Sequence, residues 1–409
     1  MNEMIKNLFD FRLWLTALVL TSWSSYAENT INRPLFELTP KSVEYLGGFR
    51  LPLTTKGVSR IAYSQGVIAL RPSKNSFFMV GHAQHQAIAE FEIPEINTTK
   101  KIGEWPFAIF KQPFSTLFPC ASSSNPQKIN RVTGMSEIEG QLVVNGMEYY
   151  DADANVRDTT LIVREPDDLE ESEIDGFFQL QGAAHAAGWI SKIPQTWQKD
   201  LDSEYLVGNA STLPINSRLS IGPSAFTAHF WGVLNSEDKS GLILTTDLMD
   251  FSLKHPIVED QYNESLKNNL WTELSSAYYG FIIPRTSSYL VIGKSGGHNS
   301  GIGYKITQDE GKGRKCGGPC SLKAGDSYNY FWLFDVDDFL SVKTGKKQPY
   351  QIRPYQYGFF DKSNTNPYII GADYNIEKKL LYVVFANEDK FQSEYEAAPV
   401  IRVYKIHTN

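Results

Sequence analysis

Short apolar or alternating runs, separated by turn-forming residues, recur along the whole chain and constrain its fold more than any other feature. Each run has the length of one β-strand, and Gly, Pro, Asn, Asp and Ser lie between the runs. Helical periodicity is scarce, and the aromatic content of 13% favours strands, since Tyr and Phe suit half-buried pleated surfaces. The sequence therefore predicts an all-β protein. The runs are Phe77–Val80, Ala87–Ile93, Gln141–Val144, Thr159–Val163, Tyr205–Gly208, Gly241–Thr245, Ser288–Gly293, Tyr330–Asp335, Lys379–Phe385 and Val400–Ile406.

The predicted strands continue to the end of the chain without a linker, which favours a β-propeller over a sandwich or a barrel. A strand near Tyr45–Leu51 and the run Val400–Ile406 are expected to pair and close the ring, so that no sheet edge stays exposed. The acidic segment Glu165–Asp175 is expected to form an exposed loop, and Pro194–Leu201 one of few helices.

The N-terminal residues have the pattern of a secretory signal peptide. A basic start precedes an apolar stretch from Leu13 to Trp23, and Ser25-Tyr26-Ala27 has the small-x-small form that a signal peptidase cleaves. The stretch is shorter than the ~20 apolar residues that span a bilayer. We therefore expect residues 1–27 to be removed and residues 28–409 to form one propeller domain, secreted or periplasmic, without a membrane span. A retained N-terminal anchor is the alternative.

Charge limits the choice of partners. The formal net charge is −7, and the sequence contains no long basic run. Such a chain is a poor candidate for nucleic-acid binding, and we expect a monomer without a nucleic-acid partner. An anionic ligand would have to be held by a local basic pocket, because the overall field of the protein opposes it.

Two histidines, His82 and His85, directly follow the predicted strand Phe77–Val80. At a strand end, both imidazoles can reach a cleft at the mouth of a β-fold. Imidazole suits proton transfer near neutral pH, which makes both residues catalytic candidates. The alternative is that either one merely satisfies a backbone carbonyl.

Adjacent tyrosines, Tyr149 and Tyr150, end another predicted strand. Neighbours in a strand face opposite ways, so one ring can pack in the core while the other meets solvent or substrate. A tyrosine hydroxyl can act as an acid or base where a cation lowers its pKa, and Arg164, at the end of the next strand, is the candidate cation. Two packing tyrosines and a surface arginine are the alternative.

Further candidates for substrate binding are Tyr149, His185, Arg218 and His229. His185 lies among small residues, which would let a ligand or another backbone approach closely. His229 follows a small, apolar segment and could lie in the core or in a cleft. A structural role is the alternative for both histidines.

Three cysteines, Cys120, Cys316 and Cys320, raise the question of a disulfide or a metal. Cys316 and Cys320 bracket a tight loop whose length suits either a small, strained disulfide ring or two thiolates on one zinc ion. His298 would be the third zinc ligand, and Cys120 the fourth if the fold brings it near. Both alternatives stay open, and either has a structural role.

The sequence lacks several well-known catalytic motifs. The sequence contains no HExxH zinc-protease pattern and no Walker loop. Carboxylates are plentiful, but no pair is identified by sequence as the acid and nucleophile of a glycosidase.

Six groups of residues carry a family resemblance. They are Tyr45–Pro52, Gly81-His82 followed by Ala89–Pro94, Tyr149–Ala152, Ile221–Phe226, the region Gly297-His298…Cys316…Cys320, and Tyr330–Asp335. Together they resemble a group of secreted bacterial β-propellers that includes the propeller-type ulvan lyases of marine bacteria. The similarity spans nearly the whole mature chain in short pieces, and it implies a seven-bladed propeller.

The resemblance also implies a reaction, the cleavage of a sulfated, uronate-containing algal polysaccharide by β-elimination. Such lyases use a His and a Tyr for proton transfer, which points to His85, with His82 beside it, and Tyr150. They steady the substrate carboxylate with an Arg, matched here by Arg164, and with a second His. No histidine follows shortly after Glu90, where these lyases carry the second one. His185 or His229 takes its place, or the activity differs.

The resemblance further implies a structural zinc held by His298, Cys316 and Cys320, with Cys120 as the fourth ligand, and bound calcium is a second possibility for a metal. The analysis thus predicts an exported polysaccharide lyase acting on an anionic, ulvan-like polymer. A non-catalytic glycan-binding propeller and a glycoside hydrolase on the same scaffold are the alternatives.

Overall fold

The computed structural model describes residues 33–99, 101–151, 156–209, 221–235, 241–304, 322–364 and 368–408. The predicted signal peptide, Arg218, Cys316 and Cys320 lie outside the described residues. Pro34–Asn409 forms one compact unit. None of the helices in the described ranges is both long enough and apolar enough to cross a bilayer.

Twenty of the described strands form five four-stranded antiparallel blades, numbered here 1 to 5, and a short parallel pairing of the last strands of blades 2 and 3 joins these two blades into one eight-stranded sheet. Blade 1 contains β2 (Ile68–Arg71), β3 (Ser76–Val80), β4 (Ala87–Glu92) and β5 (Ile109–Thr116). Blade 2 contains β6 (Arg131–Ile138), β7 (Gln141–Met147), β8 (Asp158–Val163) and β9 (Ile174–Leu180). Blade 3 contains β10 (Trp189–Lys192), β11 (Tyr205–Gly208), β12 (Ala225–His229) and β13 (Leu242–Met249). Blade 4 contains β14 (Ser276–Ile282), β15 (Ser288–Gly296), β18 (Ser327–Asp335) and β19 (Gln356–Asn364). Blade 5 contains β20 (Ile369–Asn375), β21 (Leu380–Asp389), β22 (Ala398–Ile406) and β1 (Val43–Arg50).

The remaining elements are short. A two-stranded hairpin, β16 (Gly303–Tyr304) and β17 (Leu322–Lys323), belongs to the connection between β15 and β18. The described α-helices are α1 (Ala183–Ala186), α2 (Gln195–Leu201), α3 (Trp231–Asn235) and α4 (Val336–Lys343). Single turns of 3₁₀-helix occupy Pro72–Lys74, Ile102–Glu104, Phe118–Cys120 and Pro349–Gln351.

The five blades form a closed ring. Their inner strands, β2, β6, β10, β14 and β20, each pack against the next, and β20 packs against β2. The first and last strands complete blade 5, because β1 pairs antiparallel with β22 from Val43↔Ile406 to Arg50↔Val400. The predictions of a β-propeller and of its closure by these two segments are confirmed. Because β1 and β22 pair with each other, both terminal strands of the chain belong to a sheet.

The blade count implied by the resemblance is wrong for the described residues, which form five blades and not seven. The residues that two further blades would require lie instead in long connections between strands. Residues 250–275 lead into β14 without a blade strand, and residues 297–326 form the connection that carries the β16–β17 hairpin.

Most local predictions agree with the structure. All ten predicted runs lie in strands to within one residue, and the predicted helix appears as α2. The segment Glu165–Asp175 is a loop as far as residue 173, but Ile174 and Asp175 are buried at the start of β9. The loop ends early because the carboxylate of Asp175 is neutralised by Arg164.

The ring has two faces, which are defined by the two ends of its strands. The five inner strands all begin on one face, called here the upper face, and end on the lower face. Because the strands of a blade are antiparallel, the connection between its second and third strands also lies on the upper face. The upper face therefore carries the β3–β4, β7–β8, β11–β12, β15–β18 and β21–β22 connections.

Candidate functional site

An axial cavity of about 80 Å³ opens among the inner strands near the upper face. Every blade contributes to its wall. Among the lining residues, Gln65, Thr133, Asn209 and Tyr278 supply polar groups, and Trp189 and Ile370 supply apolar surface.

Three β-bulges shape this cavity. The pairing registers of β6, β14 and β20 each slip by one residue near the start of the strand, which leaves Thr133, Tyr278 and Ile370 outside the ladder. All three of these residues line the cavity. A bulge re-aims a side chain without ending the strand, so the repeated bulges direct side chains towards the axis.

Glycines allow the ring to close this tightly. A Cβ at Gly134 would lie 1.9 Å from the carbonyl oxygen of Gly188, in the segment entering blade 3. A Cβ at Gly371 would lie 1.9 Å from the carbonyl oxygen of Gly66, in the segment entering blade 1. Any side chain at Gly134 or Gly371 would therefore push neighbouring blades apart.

His82 and His85 lie together on the upper face, in the β3–β4 connection. Their rings are stacked with centroids 4.7 Å apart, and the edge of Tyr63 contacts His82 at 5.5 Å. Burial, followed by the nearby charges of His85 and Arg60, lowers the pKa of His82 below its usual value. Its imidazole is therefore neutral at neutral pH.

The contacts of this loop are consistent with one tautomer for each ring. Oγ of Ser59 lies 3.4 Å from the Arg60 carbonyl oxygen and 3.1 Å from Nδ1 of His85. When the hydroxyl donates to the carbonyl, Nδ1 of His85 carries the ring proton. Nε2 of His85 is then left with a free lone pair. Nδ1 of His82 instead accepts from the Gln84 amide at 3.1 Å, which puts the ring proton on Nε2. One ring thus presents a proton acceptor, and the other a proton donor.

Gln86 joins the histidine loop to blade 2. Its side-chain amide donates to Oε1 of Gln65 at 2.7 Å, and its carbonyl oxygen accepts from the Val132 amide at 2.6 Å. Gln65 in turn donates to the Val132 carbonyl at 2.9 Å. The β3–β4 connection is therefore fixed against the first residues of β6 and beside the axial cavity, which Gln65 lines.

The tyrosine pair lies on the same face, in the β7–β8 connection. Tyr149 and Tyr150 meet edge to face with centroids 4.8 Å apart, and Tyr150 is 64% exposed. The guanidinium of Arg131, the first residue of β6, lies 5.0 Å from the Tyr149 ring centroid. The histidine pair and the tyrosine pair therefore lie on the same face of adjacent blades. The hydrogen bond between Val132 and Gln86 joins these two blades.

Arg164 lies on the lower face, away from both pairs, because β8 ends where β7 begins. Its guanidinium pairs with Asp175 at 2.6 Å and donates to Gln141 and to the carbonyl oxygens of Val233 and Leu234. These bonds hold α3 to blade 2, and they engage every nitrogen of the guanidinium. Arg131 is the arginine that lies beside the tyrosines.

His185 belongs to a second upper-face cluster, at blade 3. Its Nδ1 lies 2.7 Å from Oδ1 of Asp250, and Asp247 lies nearby on the last strand of the blade. Burial, and then the charge of Asp250, raises the pKa of Asp247 to about 7. Oδ1 of Asp247 is buried and has no hydrogen-bond partner among the described residues. The cluster thus contains a carboxyl group whose pKa lies close to neutral pH, with a second carboxyl group beside it.

His229 lies on the lower face, as the last residue of β12. It lines a pocket of about 390 Å³ together with Tyr205 and Trp231, the latter 69% exposed. The pocket is separated from the histidine and tyrosine pairs by the length of the blades.

The described part of the predicted zinc site does not converge. No group of three His, Cys, Asp or Glu side chains in the described ranges could hold a metal ion. His298 is buried in blade 4, where Nε2 bonds Ser295 at 2.7 Å and burial lowers its pKa to about 4. Cys120 is exposed between blades 1 and 2, and neither blade adjoins blade 4. Cys316 and Cys320 lie outside the described residues.

Several side chains near these sites were not identified from the sequence. Ser59, Arg60 and Tyr63 surround the histidine pair, and Arg131 and Lys294 are upper-face cations. Only Arg131 could have been identified from the sequence as a candidate, since it is the first residue of a strand with alternating residues. The others lie in irregular segments, or depend on contacts between blades.

Comparison with known proteins gives no family. No family model matches the chain, and no curated protein matches its sequence. Among solved structures, the WD40 repeats of RRP9 share 9% identity at a TM-score of 0.31, over 84% of this chain and 67% of that chain. The PQQ-bound aldose sugar dehydrogenase of Streptomyces coelicolor shares 10% identity at a TM-score of 0.30, over 90% and 98%. At these scores neither structure bears on activity, and the propeller assignment rests on the closed ring of inner strands.

Proposed function

We propose that this protein is an exported polysaccharide lyase that cleaves an anionic, uronate-containing polymer by β-elimination on the upper face of the propeller. The observation that carries the proposal is the stacked His82–His85 pair, whose hydrogen bonds leave an acceptor on one ring and a donor on the other. A mildly acidic chain with local cations on this face is suited to a polymer that meets it outside the cytoplasm.

The reaction requires a base, an acid and a group that neutralises the uronate carboxylate. In the proposed mechanism, Nε2 of His85 removes the C5 proton, and the electron pair of that bond forms the C4–C5 double bond. The bond from C4 to the glycosidic oxygen breaks, and the departing oxygen takes a proton from the Tyr150 hydroxyl. No water is consumed, and one product carries an unsaturated uronate.

The carboxylate is assigned to Nε2–H of His82 and to Arg131. Neutralising the carboxylate makes the C5 proton more acidic, which is the energetic requirement of this reaction. Arg131 takes the role predicted for Arg164, whose guanidinium is engaged on the lower face. His82 takes the role of the second histidine for which the sequence offered only His185 and His229.

The test is to incubate the purified protein with ulvan and follow the ultraviolet absorbance of the unsaturated product. His85→Ala and Tyr150→Phe are each expected to reduce the rate by roughly 10²–10⁴-fold, the usual contribution of a positioned acid or base. His407→Ala and Tyr45→Phe are matched controls, because both residues are partly exposed near the outer edge of blade 5. Full activity in both upper-face variants would refute the assignment.

A glycoside hydrolase is the second candidate, favoured by the cluster at blade 3. Asp247 would be the acid, since burial and then the charge of Asp250 raise its pKa to about 7, and Asp250, which bonds His185, would be its partner. Hydrolysis releases reducing ends without the unsaturated chromophore. Reducing ends that disappear in Asp247→Asn, without a change in ultraviolet absorbance, would favour this function over the lyase.

A further inference from the structure

Lys294 is a mostly buried cation in blade 4 without a carboxylate partner among the described residues. Its ammonium lies 5.9 Å from the ring centroid of Tyr278 and 5.6 Å from that of Tyr368. Electrostatic interaction with the Tyr278 phenol raises the pKa of Lys294, so the side chain stays charged. Buried charges in proteins are normally paired, because removal from water is costly.

The backbone brings these side chains together on the upper face. Lys294 lies near the end of β15, on the upper face, where it pairs in register with Ser276. The adjoining bulge leaves Tyr278 outside the ladder and in the wall of the axial cavity. Tyr368 directly precedes β20, and its hydroxyl accepts a weak hydrogen bond from Ser327 at 3.5 Å. Three side chains from two blades thus meet beside the cavity mouth.

Packing alone gives a weak reason for a lysine in this position. Both ring distances lie close to the ~6 Å limit of a cation–π contact, where the attraction is small. The two phenol groups offer hydrogen bonds, but neither supplies a carboxylate to the ammonium. An ammonium group held between hydroxyl groups has the donors that an oxyanion accepts.

We propose that Lys294, Tyr278 and Tyr368, called here the Lys294 site, bind one oxyanion group of a carbohydrate, a carboxylate or a sulfate. The inference rests on the proposed function, because it places a second acidic residue of the polymer across the axial cavity from the histidine pair. Gln65 and Tyr278 line the same cavity, and Gln65 bonds Gln86 beside His85, so the cavity lies between the two sites.

The experiment measures binding by calorimetric titration in the His85→Ala background, which blocks turnover. Three probes of equal length are used: a uronate oligosaccharide without sulfate, a sulfated neutral oligosaccharide, and an uncharged oligosaccharide. Lys294→Met is expected to weaken binding of one anionic probe by about tenfold, a typical value for losing a charge-assisted hydrogen bond, and to leave the uncharged probe unchanged. The anionic probe that loses affinity identifies the group as a carboxylate or a sulfate.

Two further variants keep the test decisive. Lys405→Met removes an exposed lysine from the outer part of blade 5 and is expected to leave all three affinities unchanged. Tyr278→Phe keeps the ring and the cation, and is expected to cause a smaller loss for the same anionic probe. If Lys294→Met does not fold, Tyr278→Phe and Lys294→Arg, which preserves the charge and is expected to preserve binding, carry the test.

Equal affinity of Lys294→Met and its parent for both anionic probes would overturn the proposal, and so would an equal loss for the uncharged probe. Failure of the Lys294 site is distinguishable from failure of the lyase function. A wild-type protein that forms no unsaturated product, but binds an anionic probe through Lys294, would refute the function alone. A protein that cleaves ulvan while Lys294→Met binds normally would refute the site alone.

Discussion

Arg71 and Lys294 are both buried cations, yet the protein surrounds them differently. Arg71, at the lower end of β2, is 2% exposed and bonds Glu90 at 3.0 Å, Glu137 at 2.7 Å and Asp167 at 2.8 Å. Lys294, at the upper end of β15, has two tyrosines beside it and no carboxylate among the described residues. The carboxylates around Arg71 are supplied by the fold itself. The difference indicates that the counter-ion of Lys294 comes from a ligand.

The same contrast separates the two arginines near the tyrosine pair. Arg164, on the lower face, is held by Asp175 and three further acceptors. Arg131, on the upper face, lies over the Tyr149 ring and donates to the carbonyl oxygen of Asn130. On the lower face the cation is paired with a carboxylate of the fold, whereas on the upper face it contacts a ring and a carbonyl oxygen, which is the basis for the role proposed for it.

Arg71→Met gives the largest expected effect on stability. Glu90 is 3% exposed; burial pushes its pKa upward, but hydrogen bonds from Gln112 and Ser76 and the charge of Arg71 bring it below its usual value. Without Arg71 the buried carboxylate of Glu90 loses its closest charge partner and keeps, within the described ranges, only Lys111 at 3.6 Å, and we expect the free energy of unfolding to fall by about 3–5 kcal/mol. Urea denaturation measures the change. Lys74→Met, which removes an exposed partner of Asp167, is the control and should change stability little. Equal stability of the two variants would contradict the contrast with Lys294.

Lys294→Met is the matching test on the upper face, with a small expected effect on stability. A largely buried charge without a carboxylate partner opposes folding, so its replacement by an apolar side chain of similar length is neutral or slightly stabilising. We expect a change in the free energy of unfolding within about 1 kcal/mol, measured in the same urea titration. A loss as large as that of Arg71→Met would mean that Lys294 has a structural role, and would remove the contrast.

Arg60 is intermediate between Arg71 and Lys294, since it pairs with Glu396 at 2.7 Å but is only half buried. Its replacement is expected to have the smallest effect of the three. After burial and the charge of His85, the charge of Arg60 is the next cause that lowers the pKa of His82. Arg60→Gln removes that positive charge and leaves Glu396 unpaired, and both changes stabilise the imidazolium. The pKa of His82 should therefore rise, as measured by the pH titration of its ring protons in NMR spectra. An unchanged or lower value would show that Arg60 does not act on the histidine pair.

The sequence was sufficient for the strands because short apolar runs bounded by turn-forming residues are a local signal. It was also sufficient for ring closure, since Tyr45–Leu51 and Val400–Ile406 were the terminal strands available to pair. The number of blades was not predictable, because it depends on how consecutive strands divide among sheets. Connections such as residues 250–275 carry no signal that excludes a further blade.

The candidate site was predictable in part. His82, His85, Tyr149 and Tyr150 all follow the second strand of a blade, and the structure places them on one face. Arg164 was misplaced because it ends the strand after the tyrosines, and successive antiparallel strands end on opposite faces. The contacts of Gln86 with Val132 and of Lys294 with Tyr368 join different blades, so no local pattern reveals them.

The most direct test of the central claim is a mass spectrum of the products formed from a defined uronate oligosaccharide. β-Elimination consumes no water, so the masses of the two fragments should add up to the mass of the substrate, and His85→Ala should abolish both fragments. Fragments whose masses add up to the substrate plus one water molecule, formed equally by His85→Ala, would contradict the lyase mechanism and the role of the histidine pair.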